Sequence, residues 1–297
     1  MFEQMRKEKI AHIEDVLTKY LPKEEGYAKT VKEAMNYSVL AGGKRLRPML
    51  MEETYRMFGG HEEVIEPFMA AQEMIHTYSL VHDDLPCMDD DEYRRGRKTT
   101  HAVYGEGMAV LAGDALLNYA FETACKAFDM TEDVKKAASA MTILASKAGI
   151  HGMIGGQTAD IQAESAEPSQ ITEELLLYIH ENKTAALIQS SMMIGAILAG
   201  ADTKQINDIE KIGYNIGVAF QIQDDILDVT GTFEELGKPI GSDEENNKVT
   251  CVSLMGLEKA KEEVGRLSNE AVTLLKEMSL EHDFLEKLII DLIHRNN

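Results

Sequence analysis

Apolar residues recur at the spacing of an α-helix along most of this chain of 297 residues. Val264, Leu267 and Ala271 share one helical face in this way, and the apolar–polar alternation of half-buried strands is missing. Tryptophan is absent, and 44% of the residues are hydrophobic, which is enough for a sizeable core. We therefore expect an all-α fold, one bundle of about ten or more helices that forms a single domain over residues 1–297.

Glycines and prolines divide the chain into these helices. Pro48 and Pro67 suit the first turns of helices, and Gly42-Gly43 suits the end of one. Long helices are predicted over 114–128, 132–164, 172–200 and 206–229, and polar loops over 85–100 and 230–250.

The chain is strongly acidic, because 30 Lys and Arg residues face 51 Asp and Glu residues, a formal net charge of −21. This charge argues against nucleic acid or an anionic membrane as the main partner. It is compatible with a phosphorylated small molecule, since carboxylates hold divalent metals that in turn hold phosphates. The cysteine spacing predicts neither a zinc site nor disulfides, and no apolar run predicts an integral membrane segment. The charged, amphipathic start of the chain is unlike a signal peptide, which favours a cytoplasmic location.

One group of aspartates is embedded in the apolar helix predicted over 206–229. Asp224 and Asp228 lie one turn apart on the same helical face, with Asp225 between them. Like charges at this spacing repel each other, and a divalent cation would reverse the sign of that effect.

Another group of aspartates directly follows an apolar helix. On an uninterrupted helix Asp83 and Asp89 would not converge, but Pro86 disfavours a regular helix there. We expect the helix to end near Asp84 and the next residues to fold Asp89 back toward Asp83. A solvated acidic patch is the alternative for either group taken alone. Two groups flanked by apolar helix favour metal binding, because uncompensated charge in an apolar setting is costly.

The scarce basic residues also fall into groups. Lys44, Arg45 and Arg47 stand at a predicted helix start, which is suited to bind anions. Others are Arg94, Arg95, Lys183, Lys238 and Lys248. Each alone is typical of a protein surface, but together they supply cations for diphosphate oxygens. His76 lies two helical turns before Asp83 on the same face, where a structural role is an equal alternative.

These residues belong to motifs whose order and spacing resemble the short-chain trans-isoprenyl diphosphate synthases, most closely the bacterial farnesyl diphosphate synthases (geranyltranstransferases). The motifs are GGKRLRP (42–48), EMIHTYSLVHDD around His76, DDLPCMD with RRG (83–96), GGQTAD (155–160), KT (183–184), FQIQDDILD (220–228) and GKPIGSDEENNKVT (237–250). The resemblance covers nearly the whole chain. It implies an all-α homodimer with a deep central cavity and two diphosphate sites at its mouth.

The resemblance also implies roles for individual residues. Asp83, Asp89 and Asp224 would bind a cluster of about three Mg²⁺ ions, with Mn²⁺ as an alternative. The catalytic residues would be Asp83, Asp84, Asp89, Asp224, Asp225, Asp228 and Lys183. The allylic diphosphate would contact Arg94, Lys183, Thr184, Gln221 and Lys238, with Lys248 nearby. Isopentenyl diphosphate would contact Lys44, Arg47, His76 and Arg95.

The implied reaction condenses isopentenyl diphosphate with dimethylallyl and geranyl diphosphate to give farnesyl diphosphate. The allylic C–O bond ionises, and preorganised positive charge must meet the departing diphosphate. The isopentenyl double bond attacks the allylic cation, and loss of a proton gives the product. Water must be excluded, and Lys183-Thr184 and the 230–250 loop are candidates for a closing lid.

Product length is predicted from side chains before the first aspartate motif. In the family, bulk at this place shortens the cavity, and Tyr78 lies five residues before Asp83, with Ser79 beside it. With the insertion Pro86-Cys87, the pattern resembles synthases of the C15 product. A C20 product is the alternative, because DDLPCMD also resembles some geranylgeranyl synthases.

Two other functions are alternatives, but the motifs typical of each differ from those of this sequence. A class I terpene cyclase carries a differently composed second metal motif, and a non-catalytic partner subunit would have lost acids from one motif. Gly155 and Gly156 interrupt a helical pattern, which predicts close packing or a kink. Gln157 and Asp160 are predicted to support the metal site from behind its ligands.

Overall fold

The structure, a computed structural model, describes residues 2–230 and 249–293. The helices are α1 Phe2–Tyr20, α2 Lys29–Val39, α3 Leu46–Met57, α4 Glu66–Asp83, α5 Thr100–Tyr104, α6 Glu106–Cys125, α7 Val134–Ala148, α8 Met153–Glu164, α9 Glu173–Ile179, α10 Ala186–Ala199, α11 Thr203–Thr230, α12 Cys251–Met255, α13 Leu257–Glu277 and α14 Asp283–Ile293. A two-stranded hairpin, β1 Tyr93–Arg94 and β2 Arg97–Lys98, is the one sheet in these ranges. The predicted all-α class is confirmed. In the described ranges, no helix combines the length and the apolarity needed to cross a membrane.

Two apolar helices form the centre of the bundle. Every residue of α10 from Ala186 to Leu198 is buried, as expected for a helix that is apolar on all sides. It packs against α3, α7 and α11, while α4 packs against α6. Because α4 is largely buried and ends at Asp83, the first aspartate motif lies at the end of a rigid central helix.

The predicted single helix over 132–164 is wrong, because the chain turns between α7 and α8. Gly149 and Gly152 border this turn, and a Cβ built at Gly152 would lie 2.1 Å from the carbonyl oxygen of Lys147. Only glycine tolerates such a close approach of backbone to backbone. The turn sets α8 apart from α7 and brings its motif GGQTAD to the site.

The predicted loop over 85–100 contains the hairpin, in which Arg94 pairs with Arg97. Arg95 and Gly96 form its two-residue connection, with φ angles of 52° and 74°. Positive φ at both positions is typical of the type I′ turn, whose twist matches the flanking strands. Arginine rarely adopts such angles. The hairpin gives the basic run after the first aspartate motif a fixed geometry.

Candidate active site

The first aspartate motif begins where α4 ends. Asp84 is the residue that follows the helix, and the backbone N–H of Asp89 donates to the carbonyl oxygen of Asp83 over 2.8 Å. The backbone N–H of Met88 donates to the carbonyl oxygen of Leu85 over 2.9 Å and tightens this turn. The predicted fold-back of Asp89 toward Asp83 is confirmed.

The Asp83 carboxylate is partly buried among charged neighbours. Gln157 Nε2 donates a hydrogen bond to Asp83 Oδ1 over 2.9 Å. Burial raises the pKa of Asp83 to about 6, against the lowering effect of Lys183, and the nearby Asp89 carboxylate raises it further. A divalent cation would compensate for this crowding of negative charge, and oxygen is the donor that Mg²⁺ prefers. The donor set at Asp83 and Asp89 therefore fits a magnesium ion.

The Asp84 side chain contacts Arg94, whereas Asp83 contacts Gln157. Arg94 Nε donates a hydrogen bond to Asp84 Oδ1 over 2.6 Å, and Arg94 Nη2 forms an ion pair with the same oxygen at 2.6 Å. Burial raises the pKa of Asp84 even though Arg94 opposes this effect. This ion pair connects the hairpin to the end of α4. The resemblance assigns Arg94 to the allylic diphosphate, but in this structure Arg94 is bound to an aspartate.

The second aspartate motif lies in α11, where Asp225 and Asp228 are buried and Asp224 is partly buried. Asp225 Oδ2 accepts a hydrogen bond of 2.9 Å from the backbone N–H of Cys251, the first residue of α12. One turn before Asp224, Gln221 Oε1 accepts a hydrogen bond of 2.9 Å from Thr184 Oγ1. Asp225 thus anchors the next helix, and Gln221 links the motif to the segment that carries Lys183.

That segment is a single π-helical turn, His180–Ala185, between α9 and α10. Such turns occur mostly inside α-helices and often at functional sites. Lys183 forms an ion pair with Asp160 of α8. A Cβ built at Gly156 would lie 2.1 Å from the backbone nitrogen of Lys183, so the predicted close packing at the glycines is confirmed. The second glycine lets α8 approach the turn and place Asp160 beside Lys183.

Further basic groups lie on α3 and α4. Burial lowers the pKa of Arg47 to about 10, although Glu73 opposes this effect. The pKa of His76 lies well below its usual value because of burial and the neighbouring arginines, Arg47 first. Among the described residues, Arg47 Nε has no hydrogen-bond partner. A half-buried guanidinium whose buried Nε has an unused donor and a neutral imidazole are suited to an anionic ligand.

Arg95 packs against the glycines that precede α3. Its guanidinium donates to the carbonyl oxygen of Gly42, and a Cβ built at Gly43 would lie 2.5 Å from Arg95 Nη1. Gly43 has a φ of 140°, which L residues with side chains rarely adopt. Lys44, which follows, is exposed. Gly43 therefore makes room for the Arg95 side chain beside the loop that precedes α3.

A cavity of about 320 Å³ brings many of these groups together. Seven of the predicted site residues line it: Arg47, His76, Tyr78, Ser79, Asp83, Lys183 and Thr184. Asp84, Arg94 and Arg95 line a neighbouring crevice of about 40 Å³. Lys44, Asp89, Gln221, Asp224, Asp225 and Asp228 line neither of these two spaces. Lys238 and Lys248 lie outside the described residues.

The sequence analysis gave His82 no place at this cavity and did not predict the ion pair of Arg45 with Glu73. His82 lines the cavity, and its ring packs edge to face on Tyr78, with 5.8 Å between centroids. Arg45, grouped above with the anion-binding cations, instead forms a buried ion pair with Glu73. The available signal for that pair was a lone glutamate inside the apolar run PFMAAQEMI of α4.

Comparisons with known proteins identify the family of this chain. The sequence profile described as polyprenyl synthetase matches residues 28–285. A farnesyl diphosphate synthase of Geobacillus stearothermophilus is 45% identical, over 88% of this chain and 87% of that protein. A chloroplastic geranylgeranyl pyrophosphate synthase of Catharanthus roseus is 46% identical, over 84% of this chain and 70% of that protein.

The fold of this chain is also similar to that of a solved structure. The geranyltransferase of Helicobacter pylori, complexed with magnesium and isoprenyl diphosphate, is 33% identical with a TM-score of 0.82. The match covers 98% of this chain and 95% of that one. With a family profile over most of its length and relatives above two-fifths identity, this chain belongs to the polyprenyl synthetase family.

Proposed function

We propose that this protein is a prenyltransferase that joins isopentenyl diphosphate to dimethylallyl and geranyl diphosphate and releases farnesyl diphosphate. The observation that carries the proposal is the cavity in which Asp83, Lys183 and Thr184 lie together with Arg47 and His76. It combines a carboxylate suited to a metal with cations suited to diphosphates, next to apolar walls. The family and the farnesyl diphosphate synthase relatives support the same reaction.

The allylic substrate must lose its diphosphate, and the developing negative charge has to be met by groups already in place. Bound by Asp83, Asp89 and Asp224, a cluster of about three Mg²⁺ ions would supply most of that charge. Lys183 would add a further cation, and Thr184 and Gln221 would orient the same diphosphate. The magnesium in the structure of the Helicobacter pylori relative supports a role for this metal in the reaction.

The second substrate would bind on the basic side of the cavity. Arg47, Arg95 and Lys44 would hold the isopentenyl diphosphate, and neutral His76 would donate one N–H to it. After the allylic C–O bond has ionised, the isopentenyl double bond attacks the allylic carbon, and the new C–C bond forms. The departed diphosphate then accepts a proton from the former isopentenyl unit. Diphosphate leaves with the electron pair of the broken bond, so no oxidant or reductant is needed.

Farnesyl and geranylgeranyl synthases are both among the relatives, at 45% and 46% identity, so identity alone does not choose the product. The choice of farnesyl depends on Tyr78, whose side chain is buried and lines the cavity five residues before Asp83. A phenol at this place would stop the growing chain after one addition to geranyl diphosphate. Geranylgeranyl diphosphate is the second candidate product.

Purified protein should be incubated with Mg²⁺, isopentenyl diphosphate and geranyl diphosphate, and the products separated by chromatography. Farnesyl diphosphate is the expected product, and Asp83→Asn should lose most of the activity. A longer product would overturn the farnesyl assignment. A cyclic hydrocarbon from geranyl diphosphate alone, or no turnover, would overturn the proposed function itself.

The resemblance further implies a homodimer, and we propose that α6 contributes to its interface. Val110 and Leu111 expose 38% and 55% of their surfaces on this helix, and apolar side chains are often covered in oligomers. Light scattering should give twice the mass of 33.0 kDa, and Leu111→Asp should shift it toward one chain. The cytoplasmic location predicted above stays a prediction.

A further inference from the structure

Beside the basic side of the cavity, Arg45 and Glu73 form an ion pair that is buried on both sides. Arg45 is 2% exposed and Glu73 is 3% exposed, and Arg45 Nη1 donates to Glu73 Oε1 over 2.9 Å. Neither residue is among those that line the cavity. A direct contact with a diphosphate is therefore not the role of this pair.

The Arg45 guanidinium joins several segments at one point. Besides Glu73 of α4, it donates to the carbonyl oxygen of Val39 over 2.8 Å and lies 3.3 Å from Glu14 Oε1 of α1. The end of α2, the start of α3 and two further helices are thus fixed relative to each other. Charge-assisted hydrogen bonds of this kind are stronger than neutral ones.

The backbone at Arg45 also depends on this anchoring. Its φ is 48°, a left-handed conformation that residues with a side chain adopt only when their surroundings hold them there. Lys44 precedes Arg45, and Arg47 follows it by two residues. The conformation of Arg45 therefore sets how the backbone that carries Lys44 leads into the first turn of α3, where Arg47 lies.

Glu73 also acts on the cations that face the ligand. Its negative charge favours the protonated forms of Arg47 and Arg95, both of which burial disfavours. Glu73 lies three residues before His76, so both side chains are on the same face of α4. Glu73 therefore shares a helical face with His76, and its charge acts on Arg47 and Arg95, so it influences three of the groups assigned to isopentenyl diphosphate.

We propose that Arg45 and Glu73 are positioning residues for the isopentenyl diphosphate site, which hold Arg47 and Arg95 in place without touching substrate. This inference rests on the proposed function. The allylic diphosphate is assigned to Lys183, Thr184 and Gln221, which the pair does not contact. Disturbing the pair should therefore weaken the binding of isopentenyl diphosphate and leave the binding of the allylic diphosphate unchanged.

The test is steady-state kinetics of the full chain with each substrate varied separately. Glu73→Gln should raise the KM for isopentenyl diphosphate about tenfold, as expected for the loss of a bond between charged groups. The KM for geranyl diphosphate should stay within about twofold, and kcat should change little. Calorimetric titration of the variant with isopentenyl diphosphate alone should show the same loss of affinity.

A second variant separates positioning from folding. The double variant Arg45→Met, Glu73→Gln replaces the pair by neutral groups of similar size, which proteins often tolerate. It should fold and keep the raised KM for isopentenyl diphosphate. Glu53→Gln is the matched control, because Glu53 of α3 pairs with Lys9 away from the cavity, and its KM values should equal those of the wild type.

The outcomes distinguish this inference from the proposed function. A wild type without turnover defeats the proposed function. A wild type with turnover, whose Glu73→Gln and double variants keep the normal KM for isopentenyl diphosphate, overturns the positioning role. Equal increases in both KM values would also overturn it, since they would indicate a general structural effect.

Discussion

The imidazole of His82 occupies the space that a side chain at Gly113 would fill. A Cβ built at Gly113 of α6 would lie 2.0 Å from His82 Nε2, which is itself 3.1 Å from the carbonyl oxygen of Val110. The same ring packs on Tyr78, and both aromatic side chains line the cavity. A glycine on a neighbouring helix therefore decides where one wall of the cavity stands.

Gly113→Ala should destabilise the protein, because the new methyl group forces His82 away from its packed position. We expect the free energy of unfolding to fall by about 1–3 kcal/mol, as for other overpacked sites, measured by urea denaturation. Gly265→Ala on α13 is the control, because no atom lies within 4 Å of the added Cβ. It should gain about 0.5–1 kcal/mol. Equal stability of Gly113→Ala and the wild type would contradict the assigned contact.

Tyr78→Ala should shift the product from C15 toward C20. The phenol is buried at the cavity wall, and its removal opens room for one more isoprenoid unit. Chromatography of the products from geranyl and isopentenyl diphosphate measures the shift. Tyr78→Phe keeps the ring and should keep the C15 product. Unchanged C15 from the alanine variant would show that another group limits the chain.

Gln157→Leu should weaken Mg²⁺ binding, although Gln157 is not itself a predicted metal ligand. Gln157 donates to Asp83 Oδ1, and loss of such a supporting hydrogen bond costs about 10–100-fold in metal affinity or activity. The Mg²⁺ concentration for half-maximal activity should rise by about tenfold or more. Gln162→Leu changes an exposed glutamine of the same helix and should leave that concentration unchanged. A normal Mg²⁺ requirement in Gln157→Leu would count against the supporting role.

Acid should destabilise the protein through His76. Burial and the nearby arginines lower the pKa of His76 in the folded state, so below pH 6.5 the unfolded chain binds a proton that the folded chain does not. Stability from this group is present at neutral pH and is lost as pH falls. Between pH 6.5 and 5.5 the wild type should lose about 1 kcal/mol more than His76→Gln. Urea denaturation at several pH values measures the free energy of unfolding of both proteins. If that free energy falls equally with pH in both, the low pKa assigned to His76 is wrong.

Local features of the sequence predicted part of the site well. The turn from Asp83 to Asp89 follows from an apolar helix that meets Pro86, and the interactions involved span few residues. The helical class follows from periodicity along the whole chain. The close packing at Gly155-Gly156 was also predicted, since glycines in a helix need a reason, although the partner, the turn at Lys183, was not.

Other features had no local signal. Arg45 stands among cations assigned to an anion, yet its partners Glu14, Val39 and Glu73 come from three separate helices. The π-helical turn at His180–Ala185 and the turn at Gly149–Gly152 are set by what α8, α10 and α11 pack against. No pattern over a few residues encodes those neighbours.

The sequence by itself determined which segments become helices and which side chains can bind metal and diphosphate, because periodicity, proline and carboxylate chemistry act over short stretches of chain. The tertiary structure decided which of these groups share a cavity. It set Asp83 against Gln157, Lys183 against Asp160 and Arg45 against Glu73. These pairs are far apart along the chain, and they meet only because burying the apolar faces of the helices fixes how the helices lie together.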